Sequence, residues 1–181
     1  MPRPNRGPIA PGIYHVNRRS AGPIAMYRDD FDRTDFCKRL SRTIAKHHWT
    51  CHAFVLMTTH YHLLVEVDQD ALQPGMHLLN SQYAQVFNRR WGRKGHLKGG
   101  PYGARRIEGE TQFLRCVRYI ALNPVEAGLC EHPADWPWGS YRGAAGYDEG
   151  FAFVTHDLVW DSLHEDRTRA QQLLRILVEP A

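Results

Sequence analysis

Two runs of strand-forming residues stand almost back to back in this chain, Thr50 to Met57 and Tyr61 to Val67, with only the Thr58-Thr59 connection and His60 between them. A connection that short cannot carry a crossover helix, so the runs are expected to pair antiparallel as a hairpin. That excludes a doubly wound parallel sheet at this point of the chain. The flanking segments have helical periodicity. Asp30 or Asp32 is expected to cap a helix reaching His47, with Phe36, Leu40, Ile44 and Cys37 on its buried stripe. Strands mixed with helices around an adjacent antiparallel pair give an α+β fold, an antiparallel β-sheet with flanking helices.

Ile13 to Asn17 reads as a short first strand. Pro74 or Gly75 opens a second helix through Met76, Leu79, Tyr83 and Phe87, ending near Trp91-Gly92. Gly92 to Gly103 holds five glycines and one proline, the composition of a mobile loop, and Arg105 to Ile107 returns as a strand. Thr111 starts a third helix that is expected to stop at Asn123, because Pro124 disfavours helical backbone in the residue before it. Trp136-Pro137-Trp138 is irregular, and Asp157 to Leu177 reads as a terminal amphipathic helix. The division expected is a flexible arm over 1–12, one catalytic-type domain over 13–143, and a loop with an amphipathic helix over 144–181.

At 181 residues the chain can bury one real core and is thin for two. No apolar run approaches the roughly 20 residues of a membrane helix, and residues 1–12 carry four prolines and no hydrophobic stretch of a secretory signal. Cys37, Cys51, Cys116 and Cys130 lie far apart with no CxxC pair, which argues against a zinc knuckle or a disulfide framework. A reducing, cytoplasmic location fits this usage. The net charge of +4 says little; its distribution says more. From Ala71 to Ile107 there is no Asp or Glu, while Arg89, Arg90, Arg93, Lys94, Lys98, Arg105 and Arg106 all fall there, interleaved with Tyr83, Phe87, Trp91 and Tyr102. Charge of one sign with aromatics between suits phosphate backbones and unstacked bases; the plain alternative is a basic face kept for solubility.

His60-Tyr61-His62 opens the second strand of the hairpin. Side chains alternate along a strand, so both imidazoles project from one face, while Tyr61, Leu63, Val65 and Val67 form the other, core-packed face. Two such histidines can hold one divalent ion and leave positions open for a third ligand, water or substrate, as a catalytic metal requires. With 11 histidines in the chain, an HxH pair also arises by chance as two surface residues, and His47-His48 is taken as surface. Tyr119 and Asn123 lie four apart on the third helix and so share a face, with Arg115 one turn before them. An Asn carbonyl oxygen can complete a metal shell begun by two histidines, and a tyrosine beside it can attack a phosphodiester. Each has an ordinary reading too, Tyr119 as half-buried core and Asn123 as a C-cap.

The phrases CHAFVLMTTHYHLLVEV at 51–67 and RCVRYIALNPVEAGL at 115–129, with YHVNRR, FNRRWGRKGHL and DWPWGSYR at 14–19, 87–97 and 135–142, resemble the REP-associated tyrosine transposases, single-tyrosine members of the HUH endonuclease family. The resemblance spans residues 13 to 143 in order and spacing. It implies a compact antiparallel sheet of ferredoxin- or RRM-like core with flanking helices, a metal pair at His60 and His62, a third ligand at Asn123, Tyr119 as nucleophile and Mg²⁺ or Mn²⁺ as cofactor. It also implies cleavage of single-stranded DNA carrying REP-type hairpins, through a 5′-phosphotyrosine with a free 3′-hydroxyl, by a monomer or a homodimer. The DNA grip is expected from Arg89, Arg90, Arg93, Lys94, Lys98, Arg105, Arg106 and Arg115. Two departures stand out. The middle of the motif is Tyr61, where a small aliphatic is usual. The family's GHLFxGRY-like phrase reads here Gly95-His96-Leu97-Lys98-Gly99-Gly100-Pro101-Tyr102-Gly103, which leaves the loop's path open. The tail after Phe151 lies outside the resemblance.

Three other functions compete. A domesticated hairpin-DNA-binding protein without cleavage would keep the fold and lose the chemistry. A metallohydrolase with a water nucleophile would need further Cys, His or carboxylate ligands that are not near in sequence. An RRM-type RNA-binding sheet would need exposed aromatics on its central strands.

Overall fold

The computed structural model describes residues 9–22, 24–97 and 99–179. Its sheet has four strands: β1 (Gly12–Arg19), β2 (Thr50–Leu56), β3 (His60–Val67) and β4 (Gly103–Arg106). Their order is β2-β3-β1-β4, with every pairing antiparallel. Helix α1 (Asp30–His47) joins β1 to β2, and α2 (Leu72–Arg90) joins β3 to β4. This β-α-β-β-α-β path is a ferredoxin-like split βαβ arrangement. The α+β reading and the hairpin therefore hold. Helices α3 (Glu110–Glu126), α4 (Tyr141–Ala144), α5 (Asp157–Asp161) and α6 (Arg167–Val178) follow.

Alternation along the strands divides the core in two. Tyr14 and Val16 of β1, Phe54 and Leu56 of β2, and Tyr61, Leu63, Val65 and Val67 of β3 pack under α1 and α2. Ala53, Val55, Met57 and Leu64 point the other way, against Phe113, Val117 and Ile120 of α3 and residues of α4 to α6. Both faces of the sheet are thus covered, unlike the open platform an RRM needs. Tyr61 fills the first core with no exposure, and its hydroxyl donates to Asn80 Oδ1 at 3.0 Å. The unusual residue inside the histidine motif is therefore a core residue.

The helix boundaries follow local chemistry. Asp29 caps α1, its carboxylate accepting from the Asp32 backbone N–H. Helix α2 begins at Leu72, two residues before the expected Pro74, because Pro74 still falls within the first turn, where no intrahelical N–H is required. Gly75 passes so close to Trp49 that a Cβ there would lie 2.2 Å from the indole. Helix α3 does not stop at Asn123. Pro124 lies inside it, and the helix ends in a Schellman turn in which Leu129 N–H donates to Pro124 O and Gly128, at φ +67°, donates to Val125 O. The preference against helix before proline is outweighed because Asn123 and Pro124 are buried against the sheet.

Two further expectations are corrected. The segment after Gly92 is pinned, not loose: Leu97 and Tyr102 are buried in the first core, Ala21 N–H donates to Leu97 O, and Gly99 N–H donates to Arg19 O. The single terminal helix is two, α5 and α6, because Ser162 to Asp166 form a break in which Asp166 caps α6 by accepting from Arg169 N–H. The tail shares the second core through Val159, Leu174 and Val178. At the other end, residues 1–8 of the expected arm lie outside the described residues, while Ile9 N–H donates to the Asp70 carboxylate, Asp70 N–H donates to Ile9 O, and Gly12 already belongs to β1.

Both sheet edges are managed. Residues 138–140 run along β2, with Leu56 N–H donating to Trp138 O and Ser140 N–H to Phe54 O. The other edge, β4, has four residues and ends in two arginines, a short charged edge that resists pairing with another chain. Among the described residues no helix is long and apolar enough to cross a membrane. The four cysteines are free.

Candidate active site

On the α3 side of the sheet, polar residues gather at the end of the central strands where β3 begins, while a separate pair, His52 and Glu66, lies at the other end of the same face. His60 and His62 of β3 project there, as alternation requires. Asn17 sits directly across from His62 and Arg19 across from His60 on β1. Helix α3 crosses above and brings Tyr119 and Asn123, one turn apart, over the same end.

The groups meet closely. His60 Nε2 lies 3.4 Å from Asn123 Oδ1. The His60 and His62 rings are 5.1 Å apart between centroids. The Tyr119 ring stands edge-on to His62 at 5.3 Å. Asn123 is buried at 8% exposure and His62 at 5%, whereas Tyr119 keeps 42%. The ligand-type side chains are thus fixed by packing, and the one nucleophile-type side chain is open to solvent.

The electrostatics keep the imidazoles neutral. Burial, then His15, His60 and Arg19, push His62 down to about 3. Burial and Arg19 also lower His60, against the pull of the Asn123 amide oxygen beside its Nε2. Each ring has one nitrogen engaged at its back: His60 Nδ1 is 3.2 Å from Thr59 Oγ1, and His62 Nδ1 is 2.9 Å from His15 Nε2. If those nitrogens carry the protons, each Nε2 lone pair is free, and that of His60 faces the Asn123 oxygen, a second lone-pair donor. Two acceptors at this separation repel unless a cation or proton lies between them. Two imidazoles and an amide oxygen are donors that can hold one divalent ion with positions left over. Among the described residues no three His, Cys, Asp or Glu side chains are grouped to hold a metal.

His15 was absent from the expected site. It lies diagonally across from His62 on β1, stacks on it at 5.1 Å and 23°, and meets Tyr119 at 5.8 Å. Arg19 was missed as well. The hint available in the sequence was the alternating His15-x-Asn17-x-Arg19 pattern, but only the β1–β3 register places those residues against His60 and His62.

The expected DNA-contacting residues separate into groups. Arg105 pairs across from His15 on the site face, and Arg115, one turn before Tyr119, is exposed. Arg89 and Lys94, both exposed, and half-buried Arg93 lie at the end of α2. The chain from there runs to the Leu97 and Gly99 contacts with Ala21 and Arg19, so these groups border the same end of the sheet as His60. Lys98 lies outside the described residues. Two others are placed differently. Arg90 is held by Asp29 and Asp32, each at 2.6 Å, and stacks on Phe31 and Trp91, so its charge is balanced within the fold. Arg106 points to the opposite face near Gly12, donating to Pro11 O. Tyr83 and Tyr102, the other tyrosines near basic segments, are buried in the first core on the far side of the sheet. Neither shares the site with His60.

No family model and no curated protein matches the chain. Solved structures do. A REP-associated tyrosine transposase bound to a REP hairpin aligns with a TM-score of 0.67 at 15% identity, covering 81% of this chain and 86% of that one. The chain has that fold. A transposase candidate of Deinococcus radiodurans R1 aligns at 16% identity with a TM-score of 0.46, over 62% of this chain and 91% of that one.

Proposed function

We propose that this chain binds hairpin-bearing single-stranded DNA and cleaves it with Tyr119 as nucleophile, as a transposase-type endonuclease. The observation that carries the reading is the convergence of Tyr119 and Asn123 from one helix with His60 and His62 from one strand, at one end of the sheet face that α3 covers. The neighbour of the same fold, bound to a REP hairpin, supports DNA as the ligand.

In this reading His60, His62 and Asn123 hold a divalent ion, Mg²⁺ or Mn²⁺. When bound, such an ion draws charge from a phosphodiester oxygen and favours attack on the phosphorus. The chain's own groups do the rest. Tyr119, anchored through its backbone and exposed at its ring, presents its oxygen to the phosphorus; the P–O3′ bond breaks, a 5′-phosphotyrosine forms, and the departing 3′ oxygen takes up a proton as the phenol loses one. Arg105 and Arg115 supply positive charge to the phosphates at the site, and Arg89, Arg93, Lys94 and Lys98 hold the flanking backbone. Strand rejoining is the reverse, with a 3′-hydroxyl attacking the phosphotyrosine.

The test is a cleavage assay on hairpin oligonucleotides labelled at either end, with Mg²⁺ or Mn²⁺. The reading requires an upstream fragment with a free 3′-hydroxyl and a downstream fragment linked to the protein through its 5′ end. Tight hairpin binding with intact DNA would establish the non-cleaving alternative, and free 5′-phosphate ends would establish a water nucleophile.

A further inference from the structure

Two histidines expected to serve one ion must each expose the same kind of lone pair, and an imidazole free to choose its tautomer exposes it only part of the time. The backs of the two rings are treated unequally here. Behind His60 stands the hydroxyl of its own neighbour, Thr59. Behind His62 stands a side chain from another strand, His15, whose Nε2 is 2.9 Å from His62 Nδ1. The two residues are diagonal neighbours: Asn17 pairs with His62 and His15 with Leu64, a separation that long side chains on one face can span. The rings also stack, 5.1 Å apart at 23°, and the edge of His15 meets Tyr119 at 5.8 Å.

We propose that His15 is a positioning residue for this site: it accepts the Nδ1–H of His62, holds that ring in the tautomer whose Nε2 is free to bind the ion, and packs against Tyr119. The inference deepens the metal reading above and rests on it for its purpose. The direction of the hydrogen bond follows from the site's needs. With Nδ1 occupied by His15, Nε2 is the only nitrogen of His62 left to act, and a proton there would leave the ring unable to ligate. A partner behind a ligating histidine fixes its tautomer and orientation, and its loss typically costs about 10–100-fold in metal affinity. His15 touches neither the ion nor the DNA in this role and acts through His62.

The decisive measurement is the imidazole ¹⁵N spectrum of the metal-free full chain at pH 8, for wild type, His15→Phe and His15→Gln. Wild-type His62 is expected as the Nδ1–H tautomer. His15→Phe, which keeps a ring but removes the acceptor, is expected to move His62 mainly to Nε2–H. His15→Gln, whose amide oxygen reaches a similar point, is expected to restore Nδ1–H. Titration with Mn²⁺, followed by paramagnetic broadening of the His60 and His62 signals, is expected to show binding weakened about 10–100-fold in His15→Phe and largely regained in His15→Gln. A wild-type His62 already protonated at Nε2, or a tautomer unmoved in His15→Phe, overturns the proposal without needing any variant to bind metal. His62→Ala separates the two claims. If it binds Mn²⁺ as wild type does, the metal reading fails, and the tautomer spectra alone decide whether His15 governs His62. If His62→Ala loses binding while His15→Phe keeps it, the metal reading stands and His15 has no positioning role.

Discussion

The Tyr119 ring meets the His62 imidazole edge-on, with centroids 5.3 Å apart and planes at 86°. A strand and a helix separated by more than fifty residues of sequence thus place a phenol against the buried member of a histidine pair. The contact is between rings, so it survives loss of the hydroxyl, and this makes the chemical role of Tyr119 separable from its packing.

Tyr119→Phe should leave the fold intact and lower stability by about 1 kcal/mol or less, since the phenol is partly exposed. Hairpin binding should stay near wild type, while cleavage and the covalent adduct disappear. Tyr83→Phe should behave in the opposite way: its buried hydroxyl donates to Met26 O at 2.6 Å, so stability should fall by about 1 kcal/mol or more with cleavage retained. Thermal melts and denaturing gels on both variants check this. An adduct that persists in Tyr119→Phe and is lost in Tyr83→Phe or Tyr102→Phe would mean that the nucleophile has been misassigned.

Replacing His60 and His62 together with Ala should abolish cleavage and preserve most hairpin affinity, because the proposed phosphate contacts lie on other residues. Asn123→Ala should weaken cleavage through the same loss of a donor. Cleavage rates measured over a Mn²⁺ series would show it; full activity in the double variant removes the metal from the account.

Affinity for hairpin DNA should fall steeply with salt. Neutralising Arg89, Lys94 or Arg105 should each flatten the log–log slope by slightly under one unit. Arg90→Ala should act differently, lowering the melting temperature because Asp29 and buried Asp32 lose their partner, with a smaller change in salt slope. Equal slopes for Arg90→Ala and Arg105→Ala in a binding titration would contradict this division.

Gly75→Ala should destabilise the fold by about 1–3 kcal/mol, as overpacking does, because the new methyl would press on the Trp49 indole, whose Nε1–H donates to Ala71 O. Chemical denaturation with Trp fluorescence reads both the loss and the displaced ring. An unchanged midpoint would show that Trp49 moves aside freely.

Much of this arrangement could be read from the residues. The hairpin, the alternation that puts His60 and His62 on one face, and the four-residue spacing of Tyr119 and Asn123 are local, and local rules describe them. What escaped depended on contacts between distant segments. His15 enters the site only through the β1–β3 register. Pro124 sits within α3 because burial of Asn123 outweighs a local backbone preference. The glycine-rich segment is pinned because Leu97 and Tyr102 reach the first core, and Arg90 is claimed by Asp29 and Asp32, roughly sixty positions away. Charge counted along the chain could not separate Arg90 or Arg106 from arginines that border the site.

The pH dependence of stability offers a check away from the site. Burial, then Arg167, pushes His156 from its ordinary 6.5 down to about 4. The folded state therefore binds fewer protons than the unfolded state between these values, and stability falls as pH drops from about 6.5 toward 4. His156→Gln should flatten that limb of the stability curve, measured as urea midpoints from pH 4 to 7. An equally steep limb in the variant would assign it to other groups.

The central claim is that one atom of this chain, the Tyr119 oxygen, becomes joined to DNA. Trypsin cuts after Arg118 and next after Arg142, so the adduct should appear on the peptide 119–142, which also contains Tyr141. Fragmentation mass spectrometry of nuclease-trimmed adduct should place the nucleotide on Tyr119. Placement on Tyr141, on another peptide, or no adduct under conditions where the hairpin is cut, would contradict the account.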